Sequence, residues 1–214
     1  RLQLRFNGML QDGEVAGRDE ITDDRRGAAL ALKFAATDAL TLEGNLSYTK
    51  IEQTPDWGVP YVNNEDLGLV GPVTEYGIDR DTFYGVPGRD FQTVEETVAT
   101  AKATYAFDNG MTLTNTFRAA RSTNDYVLTA PSSLIDNDST NPEDWEVGLS
   151  FKSWNQQTDV LANVLELSGA AQFAGASHSY VLGLATSREE IEKLSYSNLS
   201  SEDYEPPAGQ RGCT

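Results

Sequence analysis

The sequence predicts an all-β fold, specifically an antiparallel up-and-down transmembrane β-barrel segment of about seven strands with long extracellular loops and short periplasmic turns. Three observations predict it. Apolar and polar residues alternate with a period of two over unusually long stretches, the mark of strands. The connections alternate between short and long, so that in a meander the turns gather on one rim and the loops on the other. No stretch of about 20 apolar residues exists for a helical span, whereas a barrel strand crosses a bilayer with roughly ten alternating residues.

The tallest pair is the hairpin from Thr93 to Pro131. On its first arm Thr97, Ala99, Ala101, Ala103, Tyr105 and Phe107 share one face, and Thr100, Lys102 and Thr104 the other. After the turn Asp108-Asn109-Gly110, Met111, Leu113 and Phe117 alternate with Thr112, Thr114, Thr116 and Arg118. Asp-Asn-Gly supplies the positive-φ positions that a short hairpin loop needs. The arm from Met111 to Pro131 would reach about 70 Å at ~3.3 Å per residue, far above ordinary strand height.

The other elements follow in order. Leu2, Leu4, Phe6 and Leu10 oppose Gln3, Arg5 and Asn7 in a first strand, and the acidic run from Gln11 to Asp24 reads as a loop. Gly27 to Phe34 and Leu40 to Tyr48 form the next pair across the short connection Ala35 to Ala39. Gln53 to Thr93 is a long insertion rich in Pro, Gly and aromatics, and loops of that length are usually functional. After the tall hairpin, Ser132 to Glu146 is a second long polar segment. Val147 to Phe173 then runs to a tight turn at Ala174 to Ser177, and His178 to Ile191 returns with Tyr180, Leu182 and Leu184 aligned. Tyr48, Tyr105, Phe107, Phe173 and Tyr126 near strand ends predict interfacial girdles.

Seven is an odd count, and an open edge facing lipid would leave backbone groups unpaired. The chain also opens directly in a strand pattern, without a signal peptide, and ends in polar text. An internal fragment of a longer protein is expected. The formal charge of −17 offers no basic patch for phosphates and excludes nucleic acid as a partner. Cys213 is the one cysteine, either a loop thiol whose partner lies beyond Thr214 or a free thiol.

The ordered pieces DGEVAGRD (Asp12 to Asp19), PDWGVPYV (Pro55 to Val62), YGVPGRDF (Tyr84 to Phe91), the strand pair from Thr97 to Pro131, LANVLELSGAAQF (Leu161 to Phe173) and HSYVLGLATSREE (His178 to Glu190) resemble the barrel of TonB-dependent outer-membrane siderophore receptors, of the catecholate ferric-siderophore type. The resemblance covers nearly the whole of residues 1–214 and marks them as a partial receptor barrel domain. It implies a 22-stranded barrel in the bacterial outer membrane, closed by an N-terminal plug and importing ferric siderophores with energy delivered through TonB. The plug, the TonB box and some fifteen strands have no counterpart in this sequence. Implied partners are the ferric siderophore as transported ligand, outer-membrane lipid, and the TonB complex acting through the plug; no cofactor is implied.

A ferric chelate is bulky, often anionic and aromatic, so a receptor needs aromatic platforms and cationic groups. The candidates are Trp57, Tyr61, Tyr84, Arg89 and Trp145 in the long loops, with Arg118 and Arg121 on the strand rising toward them. Blander roles compete: Trp57 and Tyr84 can pack on Pro60 and Pro87, Arg89 can pair with Asp90 or Asp81, and Arg118 with lumen carboxylates. Enzyme readings find little. His178 stands alone, adjacent carboxylates such as Glu95-Glu96 point to opposite faces of a strand, and Asp136, Asp138 and Asp144 lack the spacing of a calcium loop. Two other readings remain: a soluble surface-exposed β-rich binding or adhesion domain, and a passive porin-like channel.

Overall fold

The structure, a computed structural model, describes residues 1–18, 20–135 and 139–196. Asp136, Asp138 and Cys213 lie outside the described residues. Seven strands form one antiparallel sheet in the order β1 (Leu2–Gln11), β2 (Asp23–Ala35), β3 (Leu40–Gln53), β6 (Phe91–Ala106), β7 (Thr112–Ile135), β8 (Glu146–Phe173) and β9 (Ala176–Leu194). The meander expected from the alternation is present. The long insertion adds what periodicity did not show, a small hairpin of β4 (Tyr61–Asn64) and β5 (Leu69–Pro72), followed by a 3₁₀ turn at Val73–Tyr76.

The turns form where local chemistry permits. Between β6 and β7, the Phe107 N–H donates to the Met111 carbonyl at 2.8 Å, and Gly110 takes φ 82°. The β8–β9 turn is tighter than the sequence suggested: Ala174 and Gly175, at φ 53° and 78°, suffice, and Phe173 already faces Ala176. Positive φ at both positions matches the right-handed twist of the flanking strands.

Register sorts the side chains into two faces. On one face run the rows Phe6–Leu30–Leu46–Ala99–Ala119–Leu161, Leu4–Leu32–Gly44–Ala101–Phe117–Asn163 and Leu2–Phe34–Leu42–Ala103–Asn115–Leu165. Among the described residues nothing covers these large apolar side chains, with Phe6 70% and Leu184 64% exposed. Uncovered apolar surface of that extent needs another medium, and lipid is the one a barrel wall meets. This is the outward face. Above its apolar rows lies a charged belt in which Arg26 meets Glu52 at 3.3 Å, Lys50 meets Glu52 and Glu95 at 2.9 and 3.2 Å, and Arg121 meets Asp159 at 2.6 Å.

The upper edge of the apolar rows is inclined. It stands at Leu10 on β1 but at Leu184 on β9, and Leu184 lies in the row of Leu2, eight residues lower. That fall is about 26 Å across six strand spacings of about 4.8 Å, a slope on the order of 40°, the tilt of barrel strands. The sheet does not close: among the described residues β1 and β9 each have one neighbour. Among the described residues, buried apolar side chains gather at the loop end, where Val62, Leu69, Val73, Val86, Val127, Leu128 and Ala130 pack the insertion toward upper β7 and Ile21 is buried in the β1–β2 loop.

Candidate functional site

Above the belt, water replaces lipid on the outward side, and the inward face becomes the surface that a solute from outside would meet. Two adjacent inward rows carry its chemistry. One is Gln53–Gln92–Tyr126–Trp154, from β3, β6, β7 and β8; the next, below it, is Ile51–Val94–Asn124–Gln156–Lys193, which reaches β9. Strand pairing sets these side chains about 5 Å apart, close enough for the amides to chain together.

Gln53 Nε2 donates to Gln92 Oε1 at 2.7 Å, and Gln92 Nε2 donates to Asn124 Oδ1 at 3.1 Å. A second chain runs from Trp154 Nε1 to Gln156 Oε1 and from Gln156 Nε2 to Thr158 Oγ1, both at 3.1 Å. Lys193 Nζ lies 2.7 Å from the Trp154 ring centroid, a cation over an indole face. The wall can therefore offer amide and ammonium donors beside two aromatic rings.

The residues expected from the sequence are dispersed. Arg118 faces inward, one row above Lys102, which shares Glu43 with Lys33 at 3.8 and 3.3 Å. Arg121, three residues along, faces outward in the charged belt and cannot join Arg118, because an odd step along a strand changes face. Tyr126, expected in a girdle, stands on the inward face above the belt; Tyr105 and Phe107 do pack together at the short-turn rim, 4.8 Å between ring centroids.

Arg89 is a structural clasp. Its Nε and Nη2 donate to Asp90 Oδ1 at 3.0 and 2.9 Å, its guanidinium lies 4.6 Å from the Phe151 ring, and Nη2 also reaches Thr129 Oγ1. The fully buried Asp90 carboxylate accepts the Thr129 N–H at 2.8 Å and the Val86 N–H at 3.1 Å. It stands where a strand neighbour of β7 ends, and the pairing with Asp90 is one of the two anticipated. Trp145 ties two loops, edge-on to Tyr76 at 5.6 Å with its Nε1 donating to the Ser139 carbonyl at 2.7 Å.

Trp57 and Tyr61 are exposed on the insertion, at 61% and 57%. Tyr84 is half-buried, and burial pushes its phenol above the ordinary value, opposed by the nearby Arg18 charge. Arg18, from the β1–β2 loop, donates to the Arg80 carbonyl at 2.6 Å and to Asp56 Oδ1 at 2.7 Å, so it latches that loop to the insertion. The sequence reading missed Trp154, Lys193 and the amide chain. The sequence carries a signal for their neighbour Tyr126, which stands an even number of residues from Arg118 and so shares its face.

No protein-family model matches the chain. Curated relatives do, among them the probable TonB-dependent receptor BfrD of Bordetella pertussis, 28% identical over 197 residues (89% of this chain, 25% of the relative), and the probable TonB-dependent siderophore receptor PiuA of Acinetobacter baumannii, 26% identical over 189 residues (88% and 25%). The chain thus spans about a quarter of the length of the curated relatives it matches. Among solved structures, the siderophore receptor PiuA from Acinetobacter baumannii superposes with a TM-score of 0.74 at 27% identity, covering 90% of this chain and 27% of that one. The ferric-catecholate import receptor Fiu from E. coli K12, in its closed form, gives 0.77 at 22% identity, covering 89% and 28%. By sequence, strand order and the lipid-facing band together, the chain is similar to a segment of the β-barrel wall of TonB-dependent outer-membrane receptors.

Proposed function

We propose that the receptor to which this wall belongs imports ferric siderophores across the outer membrane, with energy supplied through TonB acting on a plug that fills the closed barrel. The observation that carries the reading is the likeness, along about nine-tenths of the chain, to receptors named for siderophores and ferric catecholates. The inward wall supports it: donors and aromatic rings face the lumen above the membrane, while the charges of the outward belt are paired among themselves. On this reading the wall binds and the plug and TonB move the ligand, so no covalent chemistry is asked of these residues.

The test is uptake of radioactive iron by cells that lack other ferric-siderophore receptors and carry the full-length gene. Catecholate-dependent uptake that disappears on removal of TonB is expected. Uptake that persists without TonB would favour a passive channel, and absence of uptake with every ferric chelate offered would end the reading.

A further inference from the structure

We propose that Trp154, Lys193, Tyr126 and Asn124 form a binding subsite for the anionic, aromatic part of the chelate, and that Lys193 guards it by occupying the indole face until an anion draws it away. The inference rests on the receptor reading above. Four observations on the wall carry it.

First, Lys193 Nζ sits over the Trp154 ring at 2.7 Å, and among the described residues no carboxylate pairs with it. A cation held only by a ring quadrupole is available to a stronger counter-charge. Second, the amide chain is directional. Gln53 donates to Gln92 and Gln92 to Asn124, so the chain ends on the Asn124 amide nitrogen, for which the described residues show no acceptor. An oxygen-rich ligand would accept there. Third, the register places Tyr126 directly beside Trp154 and Asn124 directly beside Gln156, whose other neighbour is Lys193. Ring, amide and ammonium therefore converge within two rows.

Fourth, the inward charges around the patch leave it cationic. Lys152 lies one row above Trp154, Asp23 is bound to Arg25 at 2.6 Å, and the inward acids Glu96 and Glu189 lie lower on the wall. A catecholate chelate carries both a negative charge for the ammonium and flat rings for the indole. Once Lys193 turns to the anion, the vacated face of Trp154 can stack a catecholate ring, and Tyr126 can flank it. The exchange gives selectivity, because a neutral chelate has no charge with which to draw Lys193 off the ring.

The experiment uses the full-length receptor in detergent micelles, titrated with a ferric tris-catecholate and, separately, a neutral ferric tris-hydroxamate, with binding read by tryptophan fluorescence and by retention of radioactive iron. Trp154→Ala and Lys193→Met are each expected to weaken the catecholate about tenfold, Lys193→Arg to restore it, and Arg121→Ala, on the outward face, to leave it unchanged. The Trp154 signal, isolated as wild type minus Trp154→Phe, should change on catecholate binding. Heat-modifiable gel migration identifies the variants that have folded. Wild-type affinity in folded Trp154→Ala and Lys193→Met receptors would overturn the subsite while leaving the receptor reading intact. Equal loss of both chelates in Lys193→Met would overturn the guarding role. A wild-type receptor that binds no ferric chelate would overturn the receptor reading, and the subsite with it.

Discussion

At the scale of single residues, the outward face contains a pair of amides within its apolar rows. Asn115 Nδ2 donates to Asn163 Oδ1 at 3.0 Å and to the Val164 carbonyl at 3.4 Å; Asn163 Nδ2 donates to Asn115 Oδ1 at 3.2 Å and to the Thr116 carbonyl at 3.3 Å. All four amide hydrogens are used, which lets two polar side chains face hydrocarbon. Asn163→Ala should cost about 1 kcal/mol in urea unfolding of the lipid-inserted receptor, because it removes both amide–amide bonds and leaves Asn115 with its bond to the Val164 carbonyl alone. Replacing both by Leu should restore or raise stability. At the clasp, Asp90→Ala removes the acceptor of two buried N–H groups and the counter-charge of Arg89, a loss on the order of 3 kcal/mol locally. It would appear as faster hydrogen exchange at Thr129 and Val86, with Asp90→Asn intermediate; unchanged exchange in both would refute the clasp. The Tyr84 phenol is raised in the folded loop, so its contribution is whole below the ordinary tyrosine value of about 10 and is lost as pH climbs through the raised one. A difference titration against Tyr84→Phe should show phenolate forming later than in a free tyrosine.

At the scale of elements, legibility followed the medium on each side of a strand. Where one face meets lipid and the other the lumen, alternation is strong, and Leu40 to Tyr48 or Leu161 to Phe173 could be read directly. Above the belt both faces meet water, the contrast vanishes, and polar strand looks like loop. This is why Asp23, Asp24, Gln53 and Ser132–Ile135, all within strands, read as connections, and why Arg25, Arg26 and Lys50 to Glu52 fall outside the strands the alternation marks. The same loss hid the site. Trp154, Gln156 and Lys193 lie in stretches without apolar contrast, and only parity carried from Arg118 would have turned Tyr126 inward. The hairpin of β4 and β5 was obscured by the prolines that bracket it, Pro60 and Pro72, and by its length of four residues per strand. Trp145 joins Tyr76 across the two long loops, a contact that no local pattern announces. Its replacement by Ala should expose both loops of the intact receptor to limited proteolysis together; independent cleavage would show that they are not coupled.

At the scale of the whole molecule, the described sheet has two free edges and an uncovered apolar face, two separate reasons for it to seek company. Residues 1–214 expressed without detergent should associate, and light scattering should show large species that vanish on insertion into lipid. A monomer that unfolds cooperatively in water would contradict the lipid-facing assignment and favour a soluble domain.

The inclined strands bear on how the inward wall is met. The row that carries Gln53, Gln92, Tyr126 and Trp154 crosses three strand spacings, about 14 Å, and climbs on the order of 9 Å as it goes, given a slope of about 40°. It is a ramp and not a shelf. Anything descending from outside touches the indole and its ammonium first and the Gln53 amide last, so the wall imposes an order of contacts: charge and ring at the top, then hydrogen bonds on the way down.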